Sequence, residues 1–69
     1  MDEELDARVR AVCVIAEMEG WDEEKTEAAL RKVHRQYHLN CLNILAATYK
    51  LKPENVEECR RQIVERFPD

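Results

Sequence analysis

Chain-breaking residues constrain this sequence more than any other feature. Its 69 residues include a single glycine, Gly20, and two prolines, of which Pro53 comes first. Each lies where one helical pattern of apolar residues stops and another begins, which is where Gly ends helices and Pro starts them. With so few loop-forming residues, the sequence predicts helices over almost its whole length.

The spacing of apolar residues divides the chain into four helical segments. Intervals of three and four residues recur in each of them, as on one face of a helix. We therefore predict an all-α fold, a compact four-helix bundle with helices at residues 2–19, 22–37, 40–50 and 53–67. Asp22 is a good N-cap for the second helix and Asn40 a plausible one for the third. The third helix is expected to be central and the most buried.

The size and charge of the chain exclude several classes of protein. A single domain this short buries only about 60% of its unfolded surface, so a full core leaves little room for a deep substrate cleft. The longest apolar run, residues 11–16, is far shorter than the roughly 20 residues of a membrane helix. The formal net charge of −4 falls within the first twenty residues. Without a phosphate loop or a nucleophile motif, we expect a protein that is not an enzyme and needs no cofactor.

Further expectations concern the context of the chain. The acidic start lacks the positive charge of a secretory signal, which favours an intracellular location. Within the cell, we expect the nucleus rather than the cytoplasm. We expect residues 1–69 to form one helical domain, a fragment of a larger regulatory protein.

Histidine and cysteine residues suggest a metal site that we reject. His34 and His38 lie four residues apart and Cys41 follows, which a zinc ion would tolerate. The paired motifs of zinc modules are missing, so two histidines near a helix end are the simpler interpretation. The chain has three cysteines, Cys13, Cys41 and Cys59. An odd number without Cys-x-x-Cys spacing fits neither a disulfide framework nor a zinc ribbon, so we expect reduced thiols, mostly packed as small hydrophobes.

Three segments share a pattern with one known family: residues 21–24 (WDEE), 42–46 (LNILA) and 57–63 (EECRRQI). They are similar to the starts and cores of the three helices of Myb/SANT domains, so residues 21–67 resemble the Myb/SANT family. The resemblance implies three helices around bulky core residues, with contacts to proteins, including histone tails, in SANT-type members. DNA-binding Myb repeats use a basic third helix, whereas residues 53–67 carry four glutamates. The sequence therefore favours protein binding over DNA binding.

The first helix is the candidate interaction surface. Its apolar residues extend well beyond one face, so it is either clamped inside the bundle or leaves one side for another protein or a second copy. The sequence favours the internal position, because most helices that are apolar all round are buried. If one side is free, the candidate partner-binding residues are Val9, Val12, Val14, Ile15 and Met18.

Two alternative functions remain open at the level of sequence. Nucleic acid could bind if the basic residues converge, which are Arg31, Lys32, Arg35, Lys50, Lys52, Arg60 and Arg61. The size and helical pattern are also similar to ubiquitin-binding UBA and CUE domains. Their apolar Met-Gly-Phe type loop is missing, because residues 34–39 read HRQYHL.

Overall fold

A computed structural model describes residues 3–68, and within this range the chain forms three helices and no strand. These are α1 (Glu3–Glu19), α2 (Glu23–Tyr49) and α3 (Pro53–Arg66). The predicted all-α class is confirmed. Residue 2, where we expected the first helix to begin, lies outside the described residues, as do residues 1 and 69.

The prediction of four helices is wrong, because the segments 22–37 and 40–50 form one continuous helix of 27 residues, α2. Asn40 does not cap a new helix. Its side-chain oxygen accepts a hydrogen bond from the side-chain amide of Gln36, one turn earlier, at 3.1 Å. Residues 38–41 contain neither Gly nor Pro, so nothing in the backbone forces a turn there. Without that turn the chain does not fold back into a closed bundle.

Left-handed residues end both α1 and α2. Gly20 has φ +68°, and the amide of Trp21 donates to the carbonyl of Ala16 at 2.9 Å. At the end of α2, Lys50 has φ +50° and its amide donates to the carbonyl of Ala46. Such bonds satisfy carbonyls that a helix terminus would leave unpaired. The predicted helix end at Gly20 is therefore confirmed.

The helix starts also follow from local chemistry. The Asp22 carboxylate accepts a hydrogen bond from the Lys25 amide at 2.8 Å, and the Thr26 hydroxyl donates to the Asp22 carbonyl at 2.9 Å. Pro53 lies in the first turn of α3, where its missing N–H costs nothing. Both predicted helix starts are confirmed.

The short helices α1 and α3 pack on different faces of α2. Ala29, Val33 and Tyr37 of α2 line grooves beside α1, whereas Leu42 and Leu45 line one beside α3. Among the described residues, α1 and α3 do not pack against each other. The radius of gyration is 14.2 Å, against about 11 Å for a compact chain of this length. The fold is therefore open and elongated.

The two left-handed positions predict opposite effects of substitution. Gly20→Ala should lower the free energy of unfolding by about 1 kcal/mol, because a Cβ is strained at positive φ even though open space surrounds it. Lys50→Gly should leave the free energy unchanged or raise it by up to about 1 kcal/mol, since it removes the same strain. Urea denaturation measures both variants. A comparable loss in both would contradict the described helix ends.

The continuity of α2 is tested by two further variants. Asn40→Ala should change the free energy of unfolding by less than about 0.5 kcal/mol, because alanine is the better helix former and only one side-chain bond is lost. Asp22→Ala, the matched control at a real N-cap, should cost about 1 kcal/mol. If Asn40→Ala costs as much as Asp22→Ala, α2 begins anew at residue 40 and the continuous helix is incorrect.

Candidate protein-interaction surface

Two apolar stripes run along α1 on nearly opposite faces. Each has members spaced by four, three and four residues, and at about 100° per residue the stripes lie roughly 160° apart. The inner stripe consists of Leu5, Val9, Val12 and Ala16, and the outer stripe consists of Ala7, Ala11, Val14 and Met18. One helix thus offers an apolar face to two neighbours.

Only the inner stripe is covered by the rest of the chain. Val9 and Val12 are half-buried, whereas Val14 is 54% exposed, Met18 is 81% exposed and Ile15, beside the outer stripe, is 46% exposed. The structure thus divides the five candidate partner-binding residues between two faces. The internal position that the sequence favours for the first helix is wrong, because α2 reaches one side of α1 only.

An apolar groove adjoins the outer stripe between α1 and α2. Its volume is about 460 Å³. It is lined by Arg8, Ala11, Val12, Ala29, Lys32, Val33 and Gln36. Because Ala11 belongs to both the groove and the outer stripe, the two form one continuous surface that extends from α1 toward α2.

The whole chain exposes more surface than a folded protein of its size. Its accessible area is 5581 Å², against about 4,500 Å² expected from its mass. The excess of about 1,000 Å² is comparable to the roughly 800 Å² that each partner buries in a typical stable interface. Ala16 and Leu42 are the only buried apolar side chains among the described residues.

Charged residues border the outer stripe. Arg10 and Glu17 are both exposed and lie seven residues apart along the same edge. Within residues 3–68 neither has an ion-pair partner. Arg8, on the other edge, pairs with Glu4 at 2.7 Å and lies 6.0 Å from the ring centre of Tyr37. One positive and one negative charge are therefore left on the edge that faces away from the groove.

A second exposed apolar region lies at the C-terminal end of α2. Ile44 is 65% exposed and Tyr49 is 69% exposed. Five residues apart on a helix, they lie about 140° from each other and do not share a face. Leu45, 48% exposed, lies one turn before Tyr49 on the same face, so this region offers two aligned apolar residues where the outer stripe of α1 offers four.

The two histidines hold the end of α3. The ring of Phe67 stacks on His34 with centres 5.5 Å apart and on His38 at 5.2 Å, both nearly parallel. Arg31 donates to the carbonyl of Pro68 at 3.3 Å in the same place. No group of three or more metal-binding side chains occurs within residues 3–68. The chemistry of this pair is aromatic packing between α2 and α3.

The basic residues of the nucleic-acid alternative are dispersed. Arg60 pairs with Glu57 at 3.4 Å, and Arg61 pairs with Glu65 at 2.6 Å and with Glu58. The Arg61 hydrogen bond lowers the pKa of the Glu58 carboxyl, and the pair raises the pKa of Arg61.

The five other members lie in two separate groups, one on α2 and one after it. Arg31, Lys32 and Arg35 occupy its N-terminal half, and Lys50 and Lys52 follow its C-terminal end. At 1.5 Å per residue, Arg35 and Lys50 are separated by about 22 Å along the axis. The set does not form one positive patch.

The three cysteine thiols are free. Cys41 is half-buried, as expected for a packed thiol, but Cys13 and Cys59 are exposed. The expectation of packed thiols thus holds for one of the three. Exposure of Cys13 follows from the open fold, since it lies on a side of α1 that α2 does not reach.

Comparisons of the chain with models of protein families, with curated proteins and with solved structures returned no match. The resemblance to the Myb/SANT family stays a prediction from the residue pattern. Within residues 3–68, no helix combines the length and apolar character that crossing a bilayer requires.

The stacking of Phe67 predicts a graded response to substitution. Phe67→Ala should lower the free energy of unfolding by about 2 kcal/mol. This is less than the cost of removing a fully buried ring, because Phe67 is only half-buried. Phe67→Leu should cost about half as much, because it keeps apolar contact and loses only the stacking. Val64→Ala, on the exposed side of α3, is the control and should change the value by less than about 0.5 kcal/mol. Equal effects at positions 64 and 67 in urea denaturation would refute the described docking of α3.

Proposed function

We propose that this chain is a non-catalytic helical module that binds another protein through the outer face of α1. The observation that carries the proposal is the exposed outer stripe: Val14 and Met18, with Ile15 beside them, are open to solvent, while the inner stripe already packs on α2. Spacing of four, three and four residues is that of a helix–helix interface.

The shape and charge of this surface favour a protein helix over other ligands. From Ala7 to Met18 the stripe is about 16 Å long, the length of a helical contact, not of a small-molecule pocket. Helices that lie on membranes carry Lys and Arg on their polar face. The described part of α1 instead has five acidic residues and two arginines. An aqueous protein partner is the better fit.

The remaining helices support this surface. α2 covers the inner stripe and so presents the outer one, and Phe67 at the end of α3 packs on the two histidines in the middle of α2. A regulatory role in the nucleus, with contacts to chromatin proteins, is what the Myb/SANT resemblance adds to the proposal.

Both alternative functions have weaker support. Nucleic-acid binding requires free positive charge on one face, and Arg60 and Arg61 are already paired with carboxylates. Ubiquitin binding of the UBA or CUE type requires an apolar loop, and residues 34–39 lie inside α2.

Aspartate substitutions on the two stripes test the proposal. Val14→Asp and Met18→Asp should keep the helical circular dichroism and change the free energy of unfolding of the isolated chain by less than about 1 kcal/mol, because both side chains already contact water. Val12→Asp, the matched change on the inner stripe, should unfold the chain or cost at least about 3 kcal/mol, since it places a charge against α2.

If Val14→Asp and Met18→Asp unfold the chain as Val12→Asp does, the outer stripe is part of a core and the proposed function is incorrect. These measurements are made at low micromolar concentration, so that they report the fold of the single chain.

A further inference from the structure

We propose that the protein bound by the outer stripe is a second copy of this chain, whose α1 packs antiparallel to the first across a two-fold axis. This inference rests on the proposed function and names its partner.

The open fold of the whole chain leaves enough uncovered surface for a second copy to bind. The chain exposes about 1,000 Å² more than expected for its mass, and a stable interface takes about 800 Å² from each partner. A two-fold interface uses the same patch on both copies, so one apolar stripe is sufficient to form it. The adjoining groove, about 460 Å³ in volume, provides room for side chains of the second copy beside α1.

Residue sizes along the stripe favour the antiparallel orientation. Its first two members are alanines and its last two are the larger Val14 and Met18. In an antiparallel pair, Ala7 of one copy meets Met18 of the other and Ala11 meets Val14, so each layer combines one small and one large side chain. A parallel pair would put alanine on alanine at one end and methionine on methionine at the other, which leaves a gap and a bulge.

Charges on the edge favour the same orientation. In the register just described, helix geometry brings Arg10 of each copy opposite Glu17 of the other, because antiparallel helices place equivalent edges together. Two ion pairs form by symmetry between residues that have no ion-pair partner within the described part of one chain. A parallel pair would instead bring the acidic first turns, with Glu3, Glu4 and Asp6, next to each other.

Sedimentation equilibrium of the full chain tests the inference through a charge swap. The wild type should dimerise, and Arg10→Glu or Glu17→Arg alone should raise the dimer dissociation constant about tenfold by turning two attractions into repulsions. The double variant R10E/E17R should restore the wild-type value to within about threefold, since the reversed charges again meet. Glu19→Arg, the same charge change on the same helix but away from this edge, should shift the constant by less than about threefold.

A methyl-based measurement tests the register without any variant. In a mixture of isotopically labelled and unlabelled wild-type chains, filtered nuclear Overhauser spectra should show contacts between copies from the Ala11 methyl to the Val14 methyls and from Ala7 to Met18. Contacts of Ala7 with Ala7 and of Met18 with Met18, pairs that are about 16 Å apart along the axis in the antiparallel register, would show a parallel pair and overturn the inference.

The remaining outcomes separate this inference from the proposed function. A wild type that stays monomeric at millimolar concentration excludes the second copy as partner, while the aspartate variants still report whether the outer stripe is a free surface. Two results for the dimer would also overturn the antiparallel α1 interface. One is a dissociation constant that the single charge changes leave unaltered, and the other is a double variant that binds no more tightly than the single ones.

Discussion

The unbroken α2 helix is the constraint on which the rest of the structure depends. Its 27 residues extend for about 40 Å without folding back. Each of the two shorter helices therefore has one helix to pack on, and each packs on a different face of it. A helix that carries apolar residues on two faces, as α1 does, has one face covered and one left in water. The exposed outer stripe is thus a consequence of the missing turn at residues 38–40.

The balance of interactions indicates which contacts stabilise this fold. Ion pairs along α3, such as Arg61 with Glu58 and Glu65, are solvent-exposed and contribute little individually. Only Ala16 and Leu42 are buried apolar residues within the described range, so the core is thin. A large share of the stability therefore comes from the helix caps at Asp22 and Gly20 and from the stacking of Phe67 on two histidines. Covering the outer stripe with another helix would add the apolar burial that the single chain lacks.

Several elements of the fold could be predicted from the sequence because their causes are local. Gly20 and Pro53 mark helix boundaries through backbone chemistry, and Asp22 caps α2 with its own side chain. The predicted helix start at Asn40 is wrong, because asparagine caps helices but also occurs inside them. In this chain its side chain accepts a hydrogen bond from Gln36 within α2. No local signal distinguishes these two uses when glycine and proline are both absent.

The interaction surface was only half visible in the sequence. Helical spacing makes the inner stripe visible in the sequence. The outer stripe has the same spacing from Ala7, but in the sequence it shows only as apolar residues that extend beyond one face of the first helix. Its alanines contribute little hydrophobicity and stand among charged residues. Which stripe faces α2 depends on the angle at which α1 returns from Gly20, a tertiary property that spacing does not encode.

Solvent paramagnetic relaxation of methyl groups tests the central claim most directly, that the outer stripe is open in the single chain and covered by a second one. A soluble gadolinium chelate relaxes exposed methyls. At the lowest protein concentration the account predicts fast relaxation at Val14 and Met18 and slow relaxation at Val12. At high concentration Val14 and Met18 should become protected, while Val64, exposed on α3, stays unchanged. Protection of Val14 and Met18 at every concentration, or exposure at every concentration, would contradict the account.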